Sequence, residues 1–243
     1  MRLGIIDVAK NKGDIEIMIA IAIDGPGGAG KSTISKAIAK GLGIVYVDTG
    51  ALYRTIGYYA RECGVSVQDA KKSECMIPLL PNISVDIKYY DGTQHVLLNG
   101  VDLGDKIRQP EISMYASSVS SVPEVRAFLL DTQRNIAKNN NVIMDGRDIG
   151  TVILPDADVK IFLTASNEAR AMRRYIELKE KGIDADYDKV LSELIQRDTQ
   201  DSSRDIAPCV AADDAITFDN SAYTFEESVE KIISIIKEKT GGI

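Results

Sequence analysis

The stretch GPGGAGKS, residues 25 to 32, decides how the rest of the chain is read. It satisfies G-x-x-x-x-G-K-[ST], and its flanks supply the context that this pattern needs. The apolar run IAIAI (19–23) precedes it, and an amphipathic stretch, 33–42, follows it. Glycines let successive backbone amides turn inward around a phosphate, and the N-terminus of the following helix adds a favourable dipole. Gly25, Pro26, Gly27, Gly28, Ala29, Gly30, Lys31, Ser32 and Thr33 are therefore the candidate phosphate-cradling residues. Within them, Lys31 reaches toward terminal phosphates and the Ser32 hydroxyl is placed to ligate magnesium.

Working outward, short apolar runs recur at IVYV (44–47), VIM (142–144), VKIFLT (159–164) and AITF (215–218), separated by amphipathic stretches. In the first of these, Ile34, Ala37, Ile38 and Leu42 share one helical face before Gly43. Buried strands alternating with helices predict a parallel sheet covered on both sides. One segment, NISVDIKYYDGTQHVLLNGVDL (82–103), instead alternates with period two and carries DG and NG turn signals, so it reads as a small antiparallel meander inserted in the main domain. NEARAMRRYIELKEKG (167–182) reads as a helix whose Arg170, Arg173 and Arg174 share a face, which periodicity alone makes a solvated surface. Residues 1–17 form an extension ahead of Met18 and the first strand.

Composition narrows the partners. With 243 residues and 44% hydrophobic residues the chain is long enough for one large α/β domain, or for one domain with an elaborated insertion. A net charge of −7 argues against a general nucleic-acid or membrane surface, so any bound anion must be held by a local cluster. Cys63, Cys75 and Cys209 have no metal or disulfide spacing, and no apolar run approaches the roughly 20 residues of a membrane span. These features, with no secretory signal, lead to the expectation of a cytoplasmic protein. The sequence NKGD (11–14) matches a guanine-reading motif, but it precedes the phosphate loop and is read as coincidence.

A phosphate cradle leaves the acceptor open. DTGALYR (48–54) ends a strand at Asp48, lets Thr49 cap the next helix and sets Arg54 just over one turn into it, which makes a second anion site. ASSVSSVPEVR (116–126) puts small hydroxyls before a helix carrying Arg126. DGRD (145–148) falls at the carboxyl end of a strand, where open α/β sheets bind ligands. QRDTQDSSR (196–204) places Arg197 and Asp201 four residues apart on one helical face, with Arg204 following. Singly, each is also what a surface ion pair looks like. Beside a phosphate loop, they supply the charges that a second nucleotide requires.

Taken in this order and spacing, IDGPGGAGKST, DTGALYR, DGRDIGTVILPDADVKIFL and RDTQDSSR resemble the bacterial cytidylate kinases, within the adenylate-kinase-like nucleoside monophosphate kinases, over residues 18 to 239. The resemblance implies a three-layer P-loop α/β fold with a five-stranded parallel sheet in a single domain, 18–243. It also implies a small antiparallel β insertion that binds the monophosphate, over 79–110, and a short helical lid over 167–186. It implies ATP and CMP or dCMP as substrates, Mg2+ with ATP, a monomer, and neither nucleic-acid nor membrane partners. By the same resemblance Thr49, Arg54, Ser117, Arg126, Arg147, Asp148, Arg197, Asp201 and Arg204 bind the acceptor, with Ser117, Arg126 and Asp148 at the cytosine-reading positions. Lys31, Arg147 and Arg197 are the implied catalytic residues, Ser32 and Asp145 the implied metal-ordering pair, and one or more of Arg170, Arg173 and Arg174 the implied lid contacts to ATP. Gly27 and Gly28 stand where other members carry serine or alanine, which a cradle built from backbone amides tolerates.

Overall fold

The computed structural model describes residues 18–90 and 92–242. The N-terminal extension and its NKGD motif therefore lie outside the described residues, as does the Asp91 half of the first meander turn.

The main sheet contains β1 (Ala20–Asp24), β2 (Val45–Asp48), β6 (Val142–Asp145), β7 (Val159–Thr164) and β8 (Ile216–Asp219). Its order is β2-β6-β1-β7-β8, and every pairing is parallel. Helix α1 (Lys31–Leu42) begins at the phosphate loop, two residues earlier than periodicity predicts, and ends on Gly43 in the left-handed conformation. Ile34 and Ile38 of α1, with Ile232 and Ile236 of the C-terminal helix α8 (Phe225–Thr240), pack on Ile21, Ile23, Ile143, Ile161 and Leu163. The opposite face buries Ala22, Val47, Val142 and Met144 against Ala137 of α5 (Pro123–Asn139). Successive residues of β1 thus enter different layers, as a strand buried on both faces requires. Among the described residues, no helix is long and apolar enough to cross a membrane.

A third apolar cluster lies beside the sheet. Leu52, Ile56 and Ala60 of α2 (Thr49–Glu62) meet Met76 of the short α3 (Ser73–Met76), Tyr115 and Val119 of α4 (Pro110–Val119), and Val125 and Leu129 of α5. The meander folds as predicted into β3 (Val85–Tyr90), β4 (Thr93–Leu98) and β5 (Val101–Asp102). Asn99 and Gly100 both adopt positive φ, 50° and 81°, matching the NG turn signal. This small sheet is tied to the edge of the large one. The Gln94 side chain accepts from the Asp48 amide at 2.7 Å and donates to the Asp48 carbonyl at 3.2 Å, while Tyr89 donates to the Tyr46 carbonyl at 3.0 Å. A glutamine thereby serves both hydrogen-bonding groups of an edge residue that has no strand on its outer side.

Helix α6 (Asn167–Glu180) packs against α7 (Tyr187–Ser203) through Ala171, Leu178 and Val190. The solvated face expected for α6 does not hold at Arg170, which is 4% exposed. Its guanidinium donates to the carbonyls of Gly27, at 2.7 Å, and Ala165, at 2.9 Å, and pairs with Asp198. Periodicity identified the shared face but not the buried anion and carbonyls that face it. Arg174 fits the solvated reading better, since it pairs with Glu177 on the same helix.

The phosphate loop runs against the backbone of β7. Gly25 has φ +143°, and a Cβ there would sit 2.0 Å from the Leu163 carbonyl oxygen. Gly25→Ala is expected to destabilise the protein by about 3 kcal/mol or more, since backbone strain and overpacking add at one position. Urea unfolding without nucleotide measures this, and an unchanged midpoint would contradict it.

Candidate functional site

Three strand ends meet at the carboxyl edge of the sheet, and each carries an aspartate: Asp24 on β1, Asp48 on β2 and Asp145 on β6. The register pairs Asp145 with Asp48 on one side and with Ile23 on the other. Parallel pairing therefore delivers the phosphate loop, the head of α2 and the DGRD turn to one place.

In the phosphate loop, Gly28 and Gly30 take φ 73° and 88°, and α1 starts directly behind them. Lys31 is buried, and its ammonium donates to the carbonyls of Gly25 and Pro26, both at 2.7 Å. Burial, and next the Arg147 guanidinium, push its pKa down from the ordinary lysine value of 10.5 to about 7. The Ser32 hydroxyl donates to Asp145 at 2.7 Å, and Tyr46 donates to the other Asp145 oxygen at 2.7 Å. Burial, then repulsion from Asp48, raises the Asp145 pKa above the usual carboxylate range. Asp198 accepts from the Gly27 amide at 3.2 Å.

A second cleft opens beside the loop. All nine acceptor candidates line it: Thr49, Arg54, Ser117, Arg126, Arg147, Asp148, Arg197, Asp201 and Arg204. They come from α2, α4, α5, the turn after β6, and α7 with the residue that ends it. Arg126 and Asp148 form a buried ion pair, with Asp148 3% exposed. Burial raises the Asp148 pKa, while Arg126 opposes the rise. Asp201 accepts from Ser117 at 3.0 Å and from Arg147 at 3.1 Å. Burial works against its charge, but Arg147 and then Arg197 outweigh burial and hold its pKa below the ordinary value. Arg204 donates to Ser120 at 2.8 Å. Arg54 lies 3.5 Å from Asp48.

Arg147 reaches from this cleft to the phosphate loop, because a Cβ placed on Gly27 would be 3.7 Å from its Nη2. Arg197 is the least satisfied of the cations. Its Nε is buried without a hydrogen-bond partner, and burial followed by Arg147 lowers its pKa to about 10.

One local expectation is corrected. Asp48, not Thr49, caps α2, accepting from the Ala51 amide at 2.9 Å, while Thr49 donates to the Asp145 carbonyl at 2.8 Å. A carboxylate one residue ahead outcompetes the hydroxyl for the free amides. Several residues in contact with the site escaped the sequence reading, among them Tyr46, Asp198, Ser120, Tyr53 and Asp24. Tyr53, hidden in the apolar pattern of α2, lines the cleft with its ring 5.6 Å from the Arg126 guanidinium. Asp24 lay in a quoted motif without a role, although an aspartate directly before a phosphate loop in a buried strand was a usable signal.

A family model described as cytidylate kinase matches residues 21–238. The chain belongs to the cytidylate kinase family. A cytidylate kinase of Caldicellulosiruptor saccharolyticus is 50% identical over 223 residues, which are 92% of this chain and 97% of that protein. One of Caldicellulosiruptor bescii is 50% identical over 217 residues, 89% and 95% of the two chains. One of Fervidobacterium nodosum is 48% identical over 219 residues, 90% and 96%.

Kinases of this family transfer a phosphoryl group from ATP, and such transfer generally uses Mg2+. The residues present fit that ion: a hydroxyl and a carboxylate already in contact, in an all-oxygen set with a crowded second carboxylate beside it. Among the described residues, no group of three or more His, Cys, Asp or Glu side chains forms a metal cage. Mg2+ bound through one or two protein groups together with phosphates does not require one.

The depressed Lys31 pKa makes nucleotide binding a protonation event. A polyphosphate favours the ammonium form, so at pH 8 ATP binding is expected to take up about one proton, whereas near pH 6 Lys31 is already charged and the uptake fades. Calorimetry in buffers of different ionisation enthalpy reads this directly, with Lys31→Met as the silent control. Equal heats across buffers at pH 8 would remove the linkage.

Proposed function

We propose that this protein transfers the terminal phosphoryl group of ATP to CMP or dCMP, giving ADP and CDP or dCDP. The observation that carries the reading is the placement of Arg147. It lines the acceptor cleft, pairs with Asp201 there, and points its Nη2 toward the phosphate loop, 3.7 Å from where a Cβ on Gly27 would stand. A guanidinium between two phosphate sites can neutralise charge on both partners of a transfer.

The attacking group is a phosphate oxygen, already ionised near neutral pH, so no strong general base is needed. The chain's only histidine agrees with this, since His95 lies in β4 and contacts Asp102 of the small sheet at 2.6 Å. Lys31 approaches the transferred group from the donor side, and Arg147 and Arg197 approach it from the acceptor side. Mg2+, held by Ser32 and ordered through Asp145, supplies further charge neutralisation when bound. Arg54, Thr49 and Arg204, with Asp201 orienting the arginines, hold the acceptor phosphate and sugar.

Asp148, Arg126 and Ser117 read the base. Cytosine offers an exocyclic amine donor beside a ring-nitrogen acceptor, matching a carboxylate and a guanidinium side by side, while uracil reverses both features. The small antiparallel sheet, within residues 79–110, serves the acceptor side, because Gln94 holds the backbone of Asp48, which in turn pairs with Arg54. Helix α6 and its connection to α7, residues 167–186, form the lid over ATP, with Arg170 against Gly27. Arg173 anchors the same helix from behind by donating to Asn220, whose side chain donates to the Ala29 carbonyl. We also assign the protein to the cytoplasm and to a monomeric state.

A coupled ADP-release assay across CMP, dCMP, UMP, AMP and GMP tests the reaction. Turnover is expected to favour CMP or dCMP, and none with either would end the proposal. Asp148→Asn is expected to lower kcat/KM for CMP by about thirtyfold, on the order of 2 kcal/mol, and to narrow the preference over UMP with little change in ATP binding. A preserved CMP-to-UMP ratio would take Asp148 out of the base-reading role.

A further inference from the structure

Asp24 is buried at the end of β1, 5% exposed, immediately before the phosphate loop. It does not line the acceptor cleft. Oδ1 accepts from the Ile149 amide and Oδ2 from the Gly150 amide, each at 2.7 Å. These are the first two amides after Asp148, and they open a single π-type turn, Ile149–Ile153. The opening amides of a helical turn have no partner within it, and buried amides left unpaired are costly. Here one carboxylate satisfies both.

The neighbouring bonds extend the same clamp. The Gly146 amide donates to the carbonyl of Ile23 at 3.0 Å, and the Asp148 carbonyl accepts from Val152 at 3.0 Å. Two consecutive residues of β1, Ile23 and Asp24, thereby bracket residues 146–150 on both sides. Between the brackets stand only Arg147 and Asp148, which both project into the acceptor cleft. The contact is close-packed as well, since a Cβ on Gly150 would lie 3.4 Å from Asp24 Oδ2 and 3.1 Å from Lys160 Cδ.

We infer that Asp24 is a specificity-determining positioning residue, setting the place of Asp148, and so the choice of acceptor base, from the strand that carries the phosphate loop. The inference rests on the base-reading role given to Asp148 above. Burial holds the Asp24 pKa near 6, far above the ordinary carboxylate value, with the two amides opposing the rise. A carboxylate retained at that cost fits a geometric task better than a solvating one. Asparagine keeps one accepting oxygen but turns an NH2 toward the other amide, so one bond is lost and two donors face each other.

The test compares wild type, Asp24→Asn, Asp148→Asn and the double variant for KM and kcat with CMP, UMP and ATP. Asp24→Asn is expected to raise KM for CMP about tenfold and to shrink the CMP-to-UMP ratio of kcat/KM, with KM for ATP within about twofold of wild type. Because Asp24 acts through Asp148, the double variant should show the same base ratio as Asp148→Asn alone, not the product of the two losses. A parallel rise in KM for ATP, an unchanged base ratio, or multiplicative losses would overturn the inference. Wild type inactive with CMP would instead remove the reading on which it rests. Hydrogen exchange on the unaltered protein provides a check independent of variant folding. The Ile149 and Gly150 amides should be protected as strongly as those of β1 and β6, and rapid exchange at both would also overturn the inference.

Discussion

Five arginines line one cleft, opposed within it by only two aspartates, Asp148 and Asp201. The chain as a whole carries a net charge of −7, so this local excess of positive charge runs against the global balance. The strain falls on Arg197, whose pKa is pushed down to about 10 by burial and then by Arg147, and whose Nε has no hydrogen-bond partner. Such an arrangement survives only where packing holds each guanidinium in place and a bound anion relieves the repulsion. The helices that present these arginines therefore answer to a charge constraint as well as to their apolar faces.

The strand ends show how one residue type takes three tasks through its neighbours alone. Asp24, Asp48 and Asp145 each end a parallel strand, and all are buried. Asp24 faces two backbone amides and becomes a clamp. Asp48 faces the head of α2 and Arg54, so it serves as a cap and a counter-charge. Asp145 faces two hydroxyls, Ser32 and Tyr46, and has Asp48 as its nearest repulsive charge. Its position beside the loop's own hydroxyl is what the cation-ordering role proposed for it rests on.

The legible parts of the sequence were those in which local pattern and global role coincide. A cradle made of backbone amides demands glycines at fixed spacing, and a two-sided parallel sheet demands unbroken apolar runs, so the phosphate loop and all five main strands could be read directly. The nine acceptor candidates were legible as types, and resemblance supplied their grouping. Periodicity could not anticipate the burial of Arg170, because the surroundings of a helix face depend on chain arriving from elsewhere, here the Gly27 carbonyl and Asp198. The exchange of roles between Asp48 and Thr49 was hidden for a related reason. Both residues are good caps, and the partner that Thr49 finds instead, the Asp145 carbonyl, lies nearly a hundred residues further along the chain.

The base reading proposed for Arg126 and Asp148 carries an energetic consequence of its own. The two side chains are buried and already satisfy each other, so a base must offer both of them at least what they give up. A cytosine edge meets that demand, with a donor for the carboxylate and an acceptor for the guanidinium. A uracil edge would separate the pair and leave each member facing a group of its own kind, which is the costly outcome for buried charge. On that proposal the internal ion pair lowers affinity for every base while widening the difference between them. Selectivity is gained at the expense of tightness, which suits an enzyme whose acceptor must also leave as product.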